Sequence, residues 1–471
     1  MNIALVNISI RPWMDKPLFP VGLSYVASAL ERAGYGFDLI DIDHYRYTDA
    51  ELAELLGKKS YDLVAFGTLV SAYKYAQKVA QIARKTNPET IIVAGNSVAS
   101  SIPEHLLTHT EVDVAVKGEG DLTIVNLVRA LEKHRSLNSL AKVKGLMFLH
   151  DGKVVDTGFE EPIKDVDTIP FPNWELFDLE FYIGKQINEV CEPYPMPREQ
   201  IRAFIVNTAR GCPFRCTFCY HVFQYCHYRY RSARSIIAEI STLHERYGVN
   251  YIHFLDELSF FSKKQVKAFV AEASKSGLKF YFTAIIRGDL FTEDDLDLLL
   301  QMKDLGCLGF GYSLESADPE ILKSMHKKMT VAQFKRQKLA LDKTGIRSYT
   351  SLVIGCPQET LETIKKTFDV CYELNIYPSS GYLLPQPGTP MFEVARQKGL
   401  VGDLETFLHQ MGDRQDLRFN LTAIPDEVLQ AEVAGHLRRI ADKMGLDLPQ
   451  EQLIKTFSAK LSLSDDELEA R

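Results

Sequence analysis

Three cysteines, Cys212, Cys216 and Cys219, fall in one short loop, Ala209-Arg210-Gly211-Cys212-Pro213-Phe214-Arg215-Cys216-Thr217-Phe218-Cys219-Tyr220. Three thiolates so placed suit a metal centre with a coordination position left over. A four-iron cluster held by three cysteines keeps one iron without a protein ligand, and that iron can take a substrate or cofactor. A structural zinc ion usually takes four Cys or His ligands, and His221, Cys226 or His227 could supply the fourth. Pro213, Arg215 and Thr217 do not read as an apolar core run, which speaks against three ordinary buried cysteines. Cys191, Cys307, Cys356 and Cys371 are scattered and read as structural.

The elements that must position this loop follow from the alternation of the chain. At 471 residues it is long for one domain, given roughly 100–200 residues per domain. Between 1 and 130, short β-branched runs (Ile3–Ile8, Phe37–Ile42, Leu63–Phe66, Thr90–Ala94, Asp113–Val116) alternate with helices, the first Gly22–Ala33. That pattern predicts a doubly wound parallel sheet covered on both faces. Ligands of such sheets bind at the carboxyl ends of the strands, here the loops Ser9–Lys16, Gly67–Ser71, Gly95–Ser97 and Gly118–Asp121. Residues 131–200 read as a connector, with a hairpin about Asp151-Gly152.

From 201 to 400, six strands (Ala203–Asn207, Tyr251–Leu255, Phe280–Ala284, Leu308–Ser313, Tyr349–Ile354, Gly381–Leu384) again alternate with helices. They predict a partial (β/α)6 barrel whose working residues lie just after its strands. The cysteine loop follows the first of them. Residues 401–471 read as helical, including Asp426–Met444 and Gln450–Leu461, and the run Lys323, Lys327, Lys328, Lys335, Arg336 and Lys338 reads as a solvated helical face.

Bulk composition narrows the classes. The net charge of −8 argues against broad binding to nucleic acid or an anionic membrane. No run approaches the ~18 apolar residues of a transmembrane segment. Asn2–Asn7 lacks a basic region and reads as a first strand rather than a signal peptide. Scattered cysteines fit a reducing compartment, so a cytoplasmic location is expected.

The Cys-x-x-x-Cys-x-x-Cys spacing, with Phe218 before the last cysteine, resembles the signature of radical S-adenosylmethionine enzymes. Later strand ends match the same family. Asp256-Glu257 follows the second strand, where the family places acceptors for the methionyl amine; the alternative is a helix cap. Arg287 follows the third. Gly311-Tyr312-Ser313-Leu314-Glu315-Ser316 resembles the family's Gly-x-x-x-Glu-Ser segment, whose Glu faces the cofactor. Ile354-Gly355-Cys356-Pro357-Gln358-Glu359-Thr360 resembles the adenine-touching Ile-Gly-x-Pro-x-Glu-Thr motif, and Pro385-Gln386-Pro387-Gly388-Thr389-Pro390 the ending of the sixth strand. The resemblance implies that Cys212, Cys216 and Cys219 hold a 4Fe-4S cluster. It also implies that Phe218, Tyr220, Asp256, Glu257, Arg287, Glu315, Gly355 and Pro357 contact S-adenosylmethionine. His227-Tyr228-Arg229-Tyr230-Arg231 mixes bases and aromatics and reads as a cofactor or substrate contact rather than an RNA-stacking surface.

Within the family the chain is most similar to the branch of anaerobic magnesium-protoporphyrin ester cyclase and cobalamin-dependent methyltransferases. Pro20-Val21-Gly22-Leu23-Ser24-Tyr25, Leu39-Ile40-Asp41, Gly95 and Gly118-Glu119-Gly120-Asp121 resemble that branch's amino-terminal cobalamin-binding domain. The resemblance implies cobalamin contacts from Leu69, Val70, Ser71, Gly95, Asn96, Ser97, Gly118, Glu119 and Gly120. It departs where Gly95-Asn96 replaces Gly-Gly, and in lacking an Asp-x-His-x-x-Gly motif. The implied activity is methyl transfer by way of methylcobalamin to a poorly activated carbon, less often phosphorus, of a small metabolite. An external electron donor such as flavodoxin or ferredoxin would supply the electron. A cobalamin-using cyclase or rearranging enzyme, a corrinoid carrier or sensor, and an amino-terminal domain that binds no corrinoid remain alternatives.

Overall fold

The computed structural model describes residues 1–12, 16–190, 192–411 and 416–454. Cys191 and the part of Gln450–Leu461 beyond 454 lie outside the described residues. The chain forms two parallel α/β units, as the alternation predicts.

In the first, β1 (Ile3–Asn7), β2 (Asp38–Asp41), β3 (Leu63–Gly67), β4 (Ile91–Gly95) and β5 (Val114–Val116) are parallel, in the order β2-β1-β3-β4-β5. Successive side chains on a strand point to opposite faces. Ile3, Leu5, Leu63, Ala65 and Val93 therefore pack on the helices Val21–Arg32 and Gly120–Lys133. Ala4, Val6, Val64, Phe66 and Ala94 pack the opposite way, against Tyr73–Thr86. The strand order reverses between β1 and β3, which opens a crevice at their carboxyl ends. The expected hairpin, β6 (Leu146–His150) and β7 (Lys153–Asp156), is not free-standing. It adds antiparallel to β5, so this sheet runs to residue 156 rather than ending near 130.

The second unit holds β8 (Ala203–Val206), a two-residue ribbon of β9 (Ala209–Arg210) and β10 (Arg229–Tyr230), then β11 (Tyr251–Phe254), β12 (Tyr281–Ile285), β13 (Cys307–Glu315), β14 (Arg347–Ile354) and β15 (Ser379–Tyr382). Six of these form a parallel sheet in the order β15-β14-β13-β12-β11-β8, whose end strands do not pair, hence an open partial barrel. Capping residues set the helix starts after its strands: Ser262, Thr330 and Thr360 each accept from the third backbone N–H while that residue's side chain reaches back. Beyond 400, helices Leu404–Gln410 and Asp426–Met444 appear. Phe407, Leu408, Phe419 and Leu421 join Val6, Phe66, Ala94, Val353 and Leu383 in one buried cluster that spans both units. No helix of the described residues is long and apolar enough to cross a membrane.

Candidate active site between the two units

The cysteine loop is built from its base upward. Asp256, after β11, is buried and accepts from Asn207 Nδ2 (2.9 Å), Thr208 N (2.8 Å), Thr208 Oγ1 (2.7 Å) and Ala209 N (3.1 Å). These bonds turn the chain out of β8 into the loop. Asp256 is therefore committed to the turn, not open to a methionyl amine as its motif suggests. The β9–β10 ribbon then sets Arg210 directly opposite Arg229, bracketing everything between them. Within the loop, Thr217 N donates to Met325 O (3.0 Å), and Met391 N donates to Thr217 O (3.1 Å). Phe214 lies under the Arg287 guanidinium, 3.7 Å from its ring centre. A Cβ on Gly388 would stand 2.8 Å from the Tyr220 ring, so that glycine makes room for Tyr220. Phe218 packs against the shared apolar cluster.

Burial pushes the thiols of Cys212 and Cys216 up. Cys219 is exposed as a residue, yet its thiol is pushed up to about 12, first by loss of water around its sulfur and then by the charge of Cys216 and Cys212. Three thiols that each resist ionisation beside the others are suited to positive metal charge, which reverses that cost. Among the described residues no three Cys, His, Asp or Glu side chains come together as ligands of a single ion.

The acidic groups divide sharply. Glu257 opens onto a cavity although protein encloses it, and burial raises its carboxyl. Glu315 is buried, holds a left-handed φ of 64°, and pairs with Lys327 Nζ at 2.8 Å. Lys327 is thus a buried partner of the site and not part of a solvated face. Lys338 is also buried, paired with Asp342. Arg287 donates to the carbonyls of Lys327 (2.6 Å) and Lys328 (3.0 Å) and pairs with Asp289 (3.0 Å). Its guanidinium ties the loop after the fourth strand to the cysteine loop. Gly355 takes a φ of 107° beyond β14, and its N–H and that of Cys356 donate to Glu359. Burial raises the Glu359 carboxyl to about 7 despite those bonds, and its Oε1 has no partner.

A cavity of about 660 Å³ joins the sheet crevice to the cysteine loop. Its deep part lies between the sheet (Leu5, Ala65, Val93) and the helices that carry Val26 and Ile124. Thr68, Leu69, Gly95 and Asn96 line it at the strand ends, and Leu255, Glu257 and Phe223 line it on the barrel side. Asn96 holds a φ of 66°, a conformation asparagine tolerates, so the missing second glycine costs little here. Val70, Ser71 and Ser97, expected to face a corrinoid, do not line the cavity; Val70 N donates to Ser97 Oγ (2.9 Å) in a sealed turn. Gly118 touches the cavity, but the space its missing side chain leaves is filled by Tyr225, 2.7 Å from where a Cβ would stand. Gly120 leaves room for Val26. Glu119 is spent on Arg229 (2.5 Å) and Arg210 (3.2 Å). Arg231, also read as a cofactor contact, borders the cavity and forms a buried pair with Glu239. Thr68 lies in the expected loop Gly67–Ser71 but no motif singles it out, and Lys327 carries no motif. The Thr68 hydroxyl is buried without a partner at the cavity wall, which suits a polar group of a bound ligand.

A partial barrel with a three-cysteine loop after its first strand, roofed by a doubly wound sheet, defines a class of enzymes built around two large cofactors. Residues 206–371 match the Radical SAM superfamily, and residues 15–128 match the B12 binding domain. An uncharacterized methyltransferase of Pyrococcus horikoshii is 32% identical over 387 residues, 81% of this chain and 79% of that protein. Anaerobic magnesium-protoporphyrin IX monomethyl ester cyclase of Cereibacter sphaeroides is 28% identical over 396 residues, 82% of this chain and 62% of the cyclase. The radical S-adenosylmethionine methyltransferase TsrM of Kitasatospora setae, solved with cobalamin and a [4Fe-4S] cluster, shares the fold with a TM-score of 0.64 at 20% identity, over 84% of this chain and 75% of that one. The cobalamin-dependent enzyme OxsB shares it with a TM-score of 0.66 at 16% identity, over 99% of this chain and 65% of that one. The chain belongs to the radical SAM superfamily, among the members whose barrel carries a B12 binding domain. It is a radical SAM enzyme, and its cofactors are a 4Fe-4S cluster, S-adenosylmethionine and cobalamin. The residues fit them: three free thiols in one loop whose ionisation a metal would favour, and an apolar crevice with an orphan hydroxyl at its wall.

Proposed function

We propose that this chain is a methyltransferase that delivers a methyl group to a poorly activated carbon, less often phosphorus, of a small metabolite. The carrying observation is the single cavity reaching from the crevice of the B12 binding domain to Glu257 beside the cysteine loop. When bound, the cofactors supply a carbon radical and a transferable methyl group; the protein's part is to align reactive atoms and exclude water. Cys212, Cys216 and Cys219 hold the cluster. Glu257 accepts from the amine of S-adenosylmethionine, Glu315 is held toward the same cofactor by Lys327, and the turn at Gly355 and Pro357 lets backbone approach adenine. Thr68, Leu69, Gly95 and Asn96 face the corrinoid. Similarity to named methyltransferases, including cytidylyl-2-hydroxyethylphosphonate methyltransferase of Streptomyces wedmorensis, supports the reading. Similarity to the cyclase favours ring closure as the second reading. A small-molecule substrate and an external one-electron carrier such as flavodoxin or ferredoxin complete the proposal.

Anaerobic reconstitution with iron, sulfide and hydroxocobalamin tests it. Corrinoid absorbance surviving desalting, with product heavier by one methylene, is expected. Loss of corrinoid on desalting refutes methyl transfer, and a product of unchanged carbon count points to the cyclase reading.

A further inference from the structure

The cysteine loop is closed by an acid from the other unit. Arg210 and Arg229 stand directly opposite each other in the β9–β10 ribbon. Like charges so placed repel, and these two are largely buried, with side chains 13% and 10% exposed. Among the described residues the acids paired with them, Glu119 and Asp121, both come from the first unit. The compensating charge comes from the loop after β5: Glu119 Oε1 accepts from Arg229 Nη2 (2.5 Å) and stands 3.2 Å from Arg210 Nη1. Its Oε2 accepts from Ile163 N (3.0 Å), and its own N–H donates to Tyr225 OH (3.3 Å). Asp121 completes the set with two parallel bonds of 2.9 Å to Arg210, and Arg229 also donates to Ile163 O (2.7 Å). Glu119 is 5% exposed; it borders the cavity, but both of its carboxylate oxygens already accept bonds within the protein.

We propose that Glu119 is a positioning residue for the iron–sulfur loop, and not a corrinoid contact: it neutralises the arginine pair that would otherwise spring the loop open at its base. The B12 binding domain thereby finishes the cluster site, and cluster retention depends on a residue of the other cofactor's domain. The inference rests on the two-cofactor reading above. Removing one partner of a buried pair leaves the remaining charge unpaired and is strongly destabilising, so iron loss at least about tenfold faster is expected from the loop.

The test compares wild type, Glu119→Gln and Glu119→Gln/Arg229→Gln, each reconstituted anaerobically in the full chain. Iron and sulfide per chain, the electron paramagnetic resonance spectrum of the reduced cluster, the rate of iron loss to a chelator, and corrinoid absorbance after desalting are measured. Glu119→Gln is expected to keep corrinoid at the wild-type level while losing iron at least about tenfold faster, with a broadened cluster spectrum. The double variant, which removes the repulsion as well as the acid, is expected to recover slow iron loss. Glu119→Asp should fall between. Unchanged iron retention in Glu119→Gln, loss of corrinoid with the cluster intact, or failure of the double variant to recover would each overturn the proposal. A wild type that takes up iron but no corrinoid would instead sink the two-cofactor reading and leave the Glu119 effect on iron still measurable.

Discussion

Replacing Lys327 by methionine tests whether the barrel treats that lysine as part of its interior. The Nζ to Glu315 separation is 2.8 Å, and the two side chains are 11% and 6% exposed. At that distance the gross attraction is about 6 kcal/mol for an effective dielectric of about 20, most of it offset by the cost of drying both groups. The measurable quantity is the cost of removing one partner, about 3–5 kcal/mol, because Glu315 is then left buried and alone. Methionine keeps most of the side-chain volume, so little of the loss comes from a cavity. The expected result is a Lys327→Met chain destabilised by about 3–5 kcal/mol. In Lys327→Met/Glu315→Gln most of that returns, with a coupling energy of at least about 2 kcal/mol. Urea unfolding of the four chains, followed by fluorescence with Trp174 buried in the barrel core, supplies the cycle. A single variant within about 0.5 kcal/mol of wild type, as for a solvated surface lysine, would refute the reasoning. Strict additivity of the two changes would do so as well.

Other expectations follow from named groups. Burial raises Glu359 to about 7 from an ordinary value of 4.5, so the folded chain holds its proton over a window where the unfolded chain has lost it. Its contribution is full below about pH 4.5 and declines as pH rises through 7, by about 3 kcal/mol in all; melts at several pH values should show that slope, and Glu359→Gln should flatten it. Gly118→Ala places a methyl 2.7 Å from the Tyr225 ring at a φ of 76°, and should cost about 1–3 kcal/mol. Tyr225→Leu in the same chain should relieve the steric part alone, read as a partial recovery of the thermal midpoint. Asp256→Asn turns an amide N–H toward donors, and should destabilise the chain and lower iron uptake together. Glu257→Gln should weaken binding of S-adenosylmethionine, measured by equilibrium dialysis, with a smaller change in the melt than Asp256→Asn gives. Equal effects of the two substitutions on stability would count against the division of labour drawn between these neighbours.

Much of this architecture was legible because parallel α/β units write themselves into short-range pattern. The β-branched runs at Leu63–Gly67 and Ile91–Gly95 are buried on both faces and so lack polar interruptions. The three cysteines were legible because their chemistry demands proximity in one loop. The lysines were not. The helix Pro319–Ser324 ends early, and His326 and Lys328 take left-handed φ values of 54° and 51°. Those reversals turn Lys327 inward, where helical periodicity places it outside. Glu119 shows a different limit: an acid in a strand-end loop reads as a ligand contact, and its arginine partner, 110 positions away, is invisible to local pattern. Pattern reports which loops face the crevice. It does not report which side chains in them are already engaged.

The same distinction bears on how the two units move. Units joined only by a polar strip commonly shift relative to each other, whereas a large apolar interface resists it. Here Val353, Cys356 and Leu383 of the barrel, Met391 and Phe392 after it, and Phe407 and Leu421 beyond 400 share one buried cluster with Val6, Phe66 and Ala94 of the first sheet. Glu405 adds bonds to Tyr73 (2.6 Å), Gln77 (2.8 Å) and His105 (2.7 Å) from the first unit. Rigid-body opening would expose that cluster, so the spacing between crevice and cysteine loop is a property of the folded core. The charged strip of Glu119, Asp121 and Arg210 borders the cavity and joins the first unit to the base of the cysteine loop. Access for a substrate therefore does not call for the two units to separate, because the cavity between them already opens to solvent.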